Sequence, residues 1–246
     1  MVNQTESDIR NLLIKYFDLS EIGELRPSND VQITIEKNGI VSVNGNVSIK
    51  NHIMMKRSPV RFGRVDGFFS VHNNTLISVV GFPSHVGDFC DMGDNQITSL
   101  DGAPNYVNGN FNCSNNRLIS LVGGPEYVGD GFYASTNGLK NLIGSPKECE
   151  GPYEAKYNAI TSLEGLPQGP FSDHISLQID STVPVLRLLL VDPTVALRLD
   201  SPELKHEISE MKRILNKFRG VMPRKKALLE CQKELIDSGF VGNASW

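Results

Sequence analysis

Val107-Asn108-Gly109-Asn110-Phe111-Asn112-Cys113-Ser114-Asn115-Asn116-Arg117-Leu118-Ile119-Ser120-Leu121-Val122-Gly123-Gly124-Pro125 is one turn of a pattern that recurs through the middle of the chain. Its last residue belongs to a set of five prolines, Pro83, Pro104, Pro125, Pro146 and Pro167, spaced 21 residues apart without an insertion. Two positions before each stands Gly81, Gly102, Gly123, Gly144 or Gly165, and nine before it Asn74, Asn95, Asn116, Asn137 or Asn158. Apolar residues keep the same beat: Val107, Phe111, Cys113, Leu118 and Leu121 are matched column by column from Val65 to Leu163. A fixed period in the twenties means that one small unit is stacked on itself, which is a solenoid.

From the second apolar position the spacing reads Phe111-x-Cys113-x-x-Asn116-x-Leu118, the pattern of a leucine-rich repeat. Phe111 and Cys113 alternate as inward strand residues do, which leaves Asn112 on the opposite face. The period leaves little room for a helix, and a glycine and proline within three residues oppose one. The expectation is therefore parallel strands on one side of the coil and irregular or polyproline-like backbone on the other, with coils about 4.8 Å apart. The asparagine column reads as architecture rather than as a ligand set. A carboxamide donates and accepts, so a stack of them can satisfy backbone groups where each coil turns inward.

One coil buries too little to stand alone, so the first and last need covers over their apolar ends and open strand edges. Residues 1–62 read as an N-terminal cap. Thr5 or Ser7 can start a helix presenting Ile9, Leu12, Leu13, Tyr16 and Phe17 on one face. Val31, Ile33, Ile35 and Val41, Val43 alternate on either side of Asn38-Gly39, a hairpin signal, and Val47, Ile49 and Met54 look like a degraded repeat. Residues 63–167 hold five 21-residue repeats. Residues 168–246 read as a helical cap: Ser201-Pro202-Glu203 has the form of a helix start, with Leu204, Ile208, Met211, Leu215 and Phe218 following at helical spacing to Gly220. A last helix is expected from about Arg224 to Ser238, burying Leu228, Leu229, Cys231, Leu235 and Ile236. The fold class is thus α+β, a short-period leucine-rich-repeat-like solenoid with a helix-and-hairpin cap and a helical cap.

The net charge of −4 over 246 residues implies no strong electrostatic partner for the chain as a whole. The N-terminus lacks the basic start and apolar run of a secretory signal, and Val183 to Leu199 is interrupted by Pro184, Arg187, Asp192, Pro193 and Arg198, so a cytoplasmic protein without a membrane partner is expected. Cys90, Cys113 and Cys149 occupy inward columns that hold Phe, Val, Met or Ala elsewhere, and Cys231 lies on an apolar helix face; no C-x-x-C pair is present. Neither a metal nor a cofactor is expected. His52, His72, His85, His174 and His206 are scattered, and phosphate-loop, nucleophile-elbow and Rossmann patterns are missing, which points away from an enzyme.

Two groups of residues are not dictated by the architecture. The first is the outward strand face: Ser70, Asp91, Asn112, Tyr133 and Glu154, flanked by Phe68 and Phe89 on one side and Lys156 on the other. Aromatic residues on a polar sheet can anchor a protein partner, or can simply lean on one another. The second lies between Ser201 and Lys233, where nine basic residues meet four acidic ones. Arg213, Arg219, Arg224, Lys225 and Lys226 form a candidate phosphate-binding patch for nucleic acid or a nucleotide; the alternative is the solvated face of capping helices.

The phrases Asn95-Gln96-Ile97-Thr98-Ser99-Leu100-Asp101-Gly102-Ala103-Pro104, Phe111 to Leu118 and Ala159 to Pro167, with the lead-in Val41 to Val47 and the ending Cys231 to Phe240, resemble the leucine-rich-repeat-like proteins of large tailed bacteriophages. Val79 and Cys149, with Gly151-Pro152, depart from that family's pattern. The resemblance implies expression inside an infected bacterium. The resulting expectation is a non-enzymatic module that binds a host protein and inhibits or redirects it, for example in defence. The alternatives are nucleotide or nucleic-acid sequestration by the basic helices, or a virion or assembly component. A homo-oligomer could form along a strand edge near Val47 or Pro170.

Overall fold

The computed structural model describes residues 5–21, 31–50, 55–167, 169 and 171–245. The chain is a parallel-strand β-solenoid of about seven turns with three α-helices. Each regular coil contributes two short strands rather than one. In the coil quoted above these are β9 (Tyr106–Val107) and β10 (Phe111–Asn112). Their counterparts are β5 (Arg61–Val65) with β6 (Phe69–Ser70), β7 (His85–Val86) with β8 (Cys90–Asp91), β11 (Tyr127–Val128) with β12 (Phe132–Tyr133), and β13 (Glu148–Cys149) with β14 (Tyr153–Ala155). Stacking them builds two sheets along adjacent sides of the coil. The expectation of a single strand side is therefore corrected, because the first apolar column, Val65 to Cys149, is itself the inward row of a ladder. The third side, through the glycine and proline columns, carries no strands in any of these coils.

Inward columns are dry. Phe69, Cys90, Phe111, Phe132 and Tyr153 are fully buried, with ring centroids 5.5 Å apart for Phe111–Phe132 and 5.3 Å for Phe132–Tyr153. Four of the five asparagines do what their column predicts, and the first, Asn74, donates only within its own coil, to His72 O at 3.2 Å. The Asn95 amide accepts from Leu76 N (3.0 Å) and donates to Val71 O (2.9 Å), joining its own coil to the preceding one. Asn116, Asn137 and Asn158 repeat both bonds at the same offsets. The residue before each asparagine, Asn73, Asp94, Asn115, Thr136 or Tyr157, has φ between 53° and 57°. Asn and Asp tolerate that left-handed geometry; Thr136 is strained in it. The glycine two before each proline is also left-handed, and at Gly144 a Cβ would lie 2.2 Å from Val122 N, so coil-to-coil approach excludes any side chain.

At the N-terminal end Thr5 caps α1 (Glu6–Tyr16) by a reciprocal pair with Asp8. Ile9 and Leu13 are buried, while Leu12 and Tyr16 pack at the margin and Phe17 has already entered β1 (Phe17–Ser20). Around Gly39 the chain turns between β2 (Gln32–Ile35) and β3 (Ile40–Asn44), which pair antiparallel; β4 (Asn46–Ile49) follows. Met54 lies outside the described residues. Strand β4 pairs with β1 on one side and β6 on the other, so Val47 is not at an open edge.

The first sheet does not end where the prolines do. Beyond β14 it takes β15 (His174–Gln178) and β16 (Ala196–Asp200) in parallel, giving the order β1-β4-β6-β8-β10-β12-β14-β15-β16. Tyr153, Ile175 and Leu197 are successive partners, each step one residue longer than the repeat. The segment expected to be helical from 168 thus begins with two strands joined through a 3-10 helix (Leu186–Leu190). The second sheet runs β13-β11-β9-β7-β5-β3-β2. Ser201 does receive Leu204 N at 3.0 Å, yet α2 starts only at Ile208 and runs to Phe218; α3 spans Arg224–Asp237. Both helices pack on the 3-10 helix, and α2 also on β16. In α3 the buried residues are Ala227, Cys231 and Leu235, whereas Leu229 and Ile236 are 54% and 46% exposed, contrary to expectation. The register of the helix turns them away from the solenoid.

Candidate functional site

The outward row of the first sheet sets Ser70, Asp91, Asn112, Tyr133 and Glu154 as successive strand partners. In register the row continues through Ser176, which is buried, and Arg198, both beyond the repeats. On one side of it runs a parallel row, Phe68, Phe89, Asn110 and Gly131, each in the next coil along. Phe68 and Phe89 stack face to face at 4.7 Å and 11°. Tyr133 folds back over Gly131: a Cβ there would lie 2.5 Å from Tyr133 Oη and 2.6 Å from its ring carbons Cε2 and Cζ. The phenol therefore stands where a side chain at position 131 would stand. The row reads ring, ring, carboxamide, ring.

At the carboxamide the surface dips into an open cavity of about 410 Å³ lined by Phe89, Asp91, Asn110, Asn112, Ser114 and Tyr133, with Cys90 beneath. Its polar floor is pre-ordered. Asp91 Oδ1 accepts from Asn112 Nδ2 (3.0 Å) and Gly93 N (2.9 Å); Asn112 Oδ1 accepts from Ser114 N (3.0 Å); Asn110 Oδ1 accepts from Gly131 N (2.9 Å). Negative charge prevails around it. The phenol of Tyr133 is raised above its ordinary pKa by burial and then by the charges of Asp130 and Glu154. His72 sits 3.5 Å from both Asp91 and Asp94, while Arg198 is engaged by Asp173 at 3.8 Å and by His174 at 3.3 Å. His174 is buried with its ring nitrogens against Asp173 (2.7 Å) and Glu154 (3.0 Å). Of the residues singled out from sequence, Phe89, Asp91, Asn112 and Tyr133 meet at the cavity, Phe68 backs Phe89, and Ser70, Glu154 and Lys156 lie along the same face outside it. Asn110, the short member of the row, was not a sequence candidate, since nothing in the chain says that Tyr133 leans across to frame it.

The second sheet carries an outward row that the sequence reading missed. His85, Tyr106 and Tyr127 stack at 4.6 and 4.5 Å with planes within 11°. Tyr127 Oη donates to Glu150 at 2.8 Å, which pushes its pKa up to about 12. Burial, and then Arg64, lower the pKa of His85, so its imidazole is neutral at pH 7. The position one before the inward valine, occupied by His85, Tyr106 and Tyr127, would have revealed this row had a second ladder been anticipated.

The basic candidates do not converge. Arg213 pairs with Glu210 (2.7 Å) and Glu234 (3.2 Å). Arg219 is 6% exposed, its guanidinium donating to the carbonyls of Asp192 and Val195, so it holds α2 to the loop before β16 instead of facing solvent. Arg224, Lys225 and Lys226 are exposed in the first turn of α3, Lys226 lying 3.8 Å from Glu230. All four cysteines are buried, and burial pushes the thiols of Cys149 and Cys231 up to about 11, which keeps them protonated and unreactive at neutral pH. Among the described residues no group of three or more His, Cys, Asp or Glu could hold a metal ion, and no helix is long and apolar enough to cross a membrane. What fold and surface define is a parallel β-solenoid with a cavity on one strand face. No family model, curated protein or solved structure matches the chain.

Proposed function

We propose that the protein is a non-enzymatic binding scaffold that docks a partner protein on the outward face of its first sheet. One observation carries this reading: the cavity between Phe89 and Tyr133, built from side chains that the core does not dictate and floored by pre-ordered polar groups. Aromatic side chains at the centre of a polar surface are the usual source of interface energy. On the same reading the coils are slim leucine-rich-repeat units, with α1 and the β2–β3 hairpin capping one end and α2 and α3 the other. The resemblance to phage proteins makes the partner a host protein, in the cytoplasm of an infected bacterium, that this chain inhibits or redirects.

The test is affinity capture from host cells with the partner identified by mass spectrometry. Phe89→Ala with Tyr133→Ala removes capture, and reversal of Arg224, Lys225 and Lys226 to Glu leaves it intact. The opposite pattern transfers the function to the helices and to a phosphate-bearing ligand. Recovery of the protein in purified particles supports a virion role instead.

A further inference from the structure

Resting on that reading, we infer that the cavity is a receptor for a guanidinium group, so that the partner inserts an arginine side chain between Phe89 and Tyr133. The geometry is that of a row of rings with one member missing. Phe68 and Phe89 already stack at 4.7 Å, and the phenol of Tyr133 occupies the row two coils beyond Phe89. With coils about 4.8 Å apart, a planar group at the level of Asn110 would meet a ring on either side at that same spacing. Asn110 is too short to fill the gap, and its hydrogen bond to Gly131 N draws it toward the backbone beneath the phenol.

A planar occupant could be an aromatic ring, a base or a guanidinium. Charge decides among them. Asp91 lies in the floor, Asp94 shares the His72 imidazole with it, and Asp130 and Glu154 act on Tyr133, so carboxylates outnumber cations around the cavity. A nucleotide would bring its phosphates into this negative field, and a neutral ring would gain nothing from it. A guanidinium is planar, always cationic, stacks on aromatic faces and carries five donors for acceptors such as the Asp91 carboxylate. A lysine ammonium has the charge without the plane, so the slot discriminates between the two cations.

The probe is N-acetyl-arginine amide, titrated into the full chain while the side-chain amide signals of Asn110 and Asn112 are followed by NMR. Saturable shifts are expected with a dissociation constant on the order of 1–10 mM. N-acetyl-lysine amide should bind at least about fivefold more weakly. Asn110→Phe supplies the missing ring from within and should abolish the shifts. Gly131→Ala, at a position without left-handed backbone, displaces the phenol and should do the same, with circular dichroism reporting that each variant is folded. Asp91→Asn, which keeps the shape, should weaken binding several-fold. Absence of saturable shifts with the arginine probe, equal response to lysine, or an unaffected Asn110→Phe overturns the inference. A partner captured by the wild-type face and equally well by Asn110→Phe would do so too, while leaving the binding-scaffold reading intact.

Discussion

Two outward rows of the same coils use the same spacing to different ends. On the second sheet His85, Tyr106 and Tyr127 form an unbroken stack, so every face inside the row is covered by a neighbouring ring. On the first sheet the row is interrupted at Asn110, which leaves Phe89 and the Tyr133 phenol without a ring between them. A complete aromatic ladder is a stabilising device, since each stacked pair contributes about 0.5–1.5 kcal/mol beyond its buried area. An interrupted one stores part of that interaction for whatever completes it.

The comparison can be broken most severely from underneath. Phe132 is fully buried beneath the Tyr133 strand, stacked between Phe111 and Tyr153, and Phe132→Ala should cost about 3–5 kcal/mol in urea denaturation and degrade both faces together. Asn95→Ala removes the amide that links two coils and leaves Leu76 N and Val71 O without their partner, an expected loss of about 3 kcal/mol in the same assay. Tyr106→Ala breaks the closed row on both sides and should lower stability by about 1–2 kcal/mol without altering partner capture, whereas Asn110→Phe exchanges the bond to Gly131 N for ring stacking and should end capture with little net change in stability. Thr136→Asn, which relieves a β-branched residue at φ 57°, should add about 1 kcal/mol and leave both rows untouched.

The smallest effect concerns protons. Tyr127 is held protonated by Glu150, its folded pKa of about 12 lying above the ordinary value of 10.0. Its contribution to stability is therefore fully present below pH 10 and declines as the pH rises toward 12. Glu150→Ala should bring the phenolate absorbance transition back toward the ordinary range, in a difference titration against Tyr127→Phe.

Much of this was legible in the chain. The proline, glycine and asparagine columns announce a stacked coil because each answers a backbone demand that recurs identically every turn. The alternation of Phe111, Asn112 and Cys113 likewise separates inward from outward side chains. The second sheet was less legible: Tyr106-Val107 offers one inward residue and no second to frame Tyr106 as Phe111 and Cys113 frame Asn112, and the strand exists because neighbouring coils hold the same segment in register. Strands β15 and β16 escaped for a related reason. They drop the asparagine and proline columns and lengthen the period by one, so only pairing with β14 reveals them as further turns.

What the sequence determined alone is the coil itself: its period, its dry columns, and the asparagines that stitch one turn to the next, since those depend on interactions repeated at a fixed offset along the chain. What only the tertiary structure decided is the slot. It arises from Tyr133 crossing to the neighbouring row over a glycine, from Asn110 being drawn down by Gly131 N, and from acids of separate coils converging. Those are relations across coils and between rows, set by side-chain direction and packing, and no linear pattern encodes them.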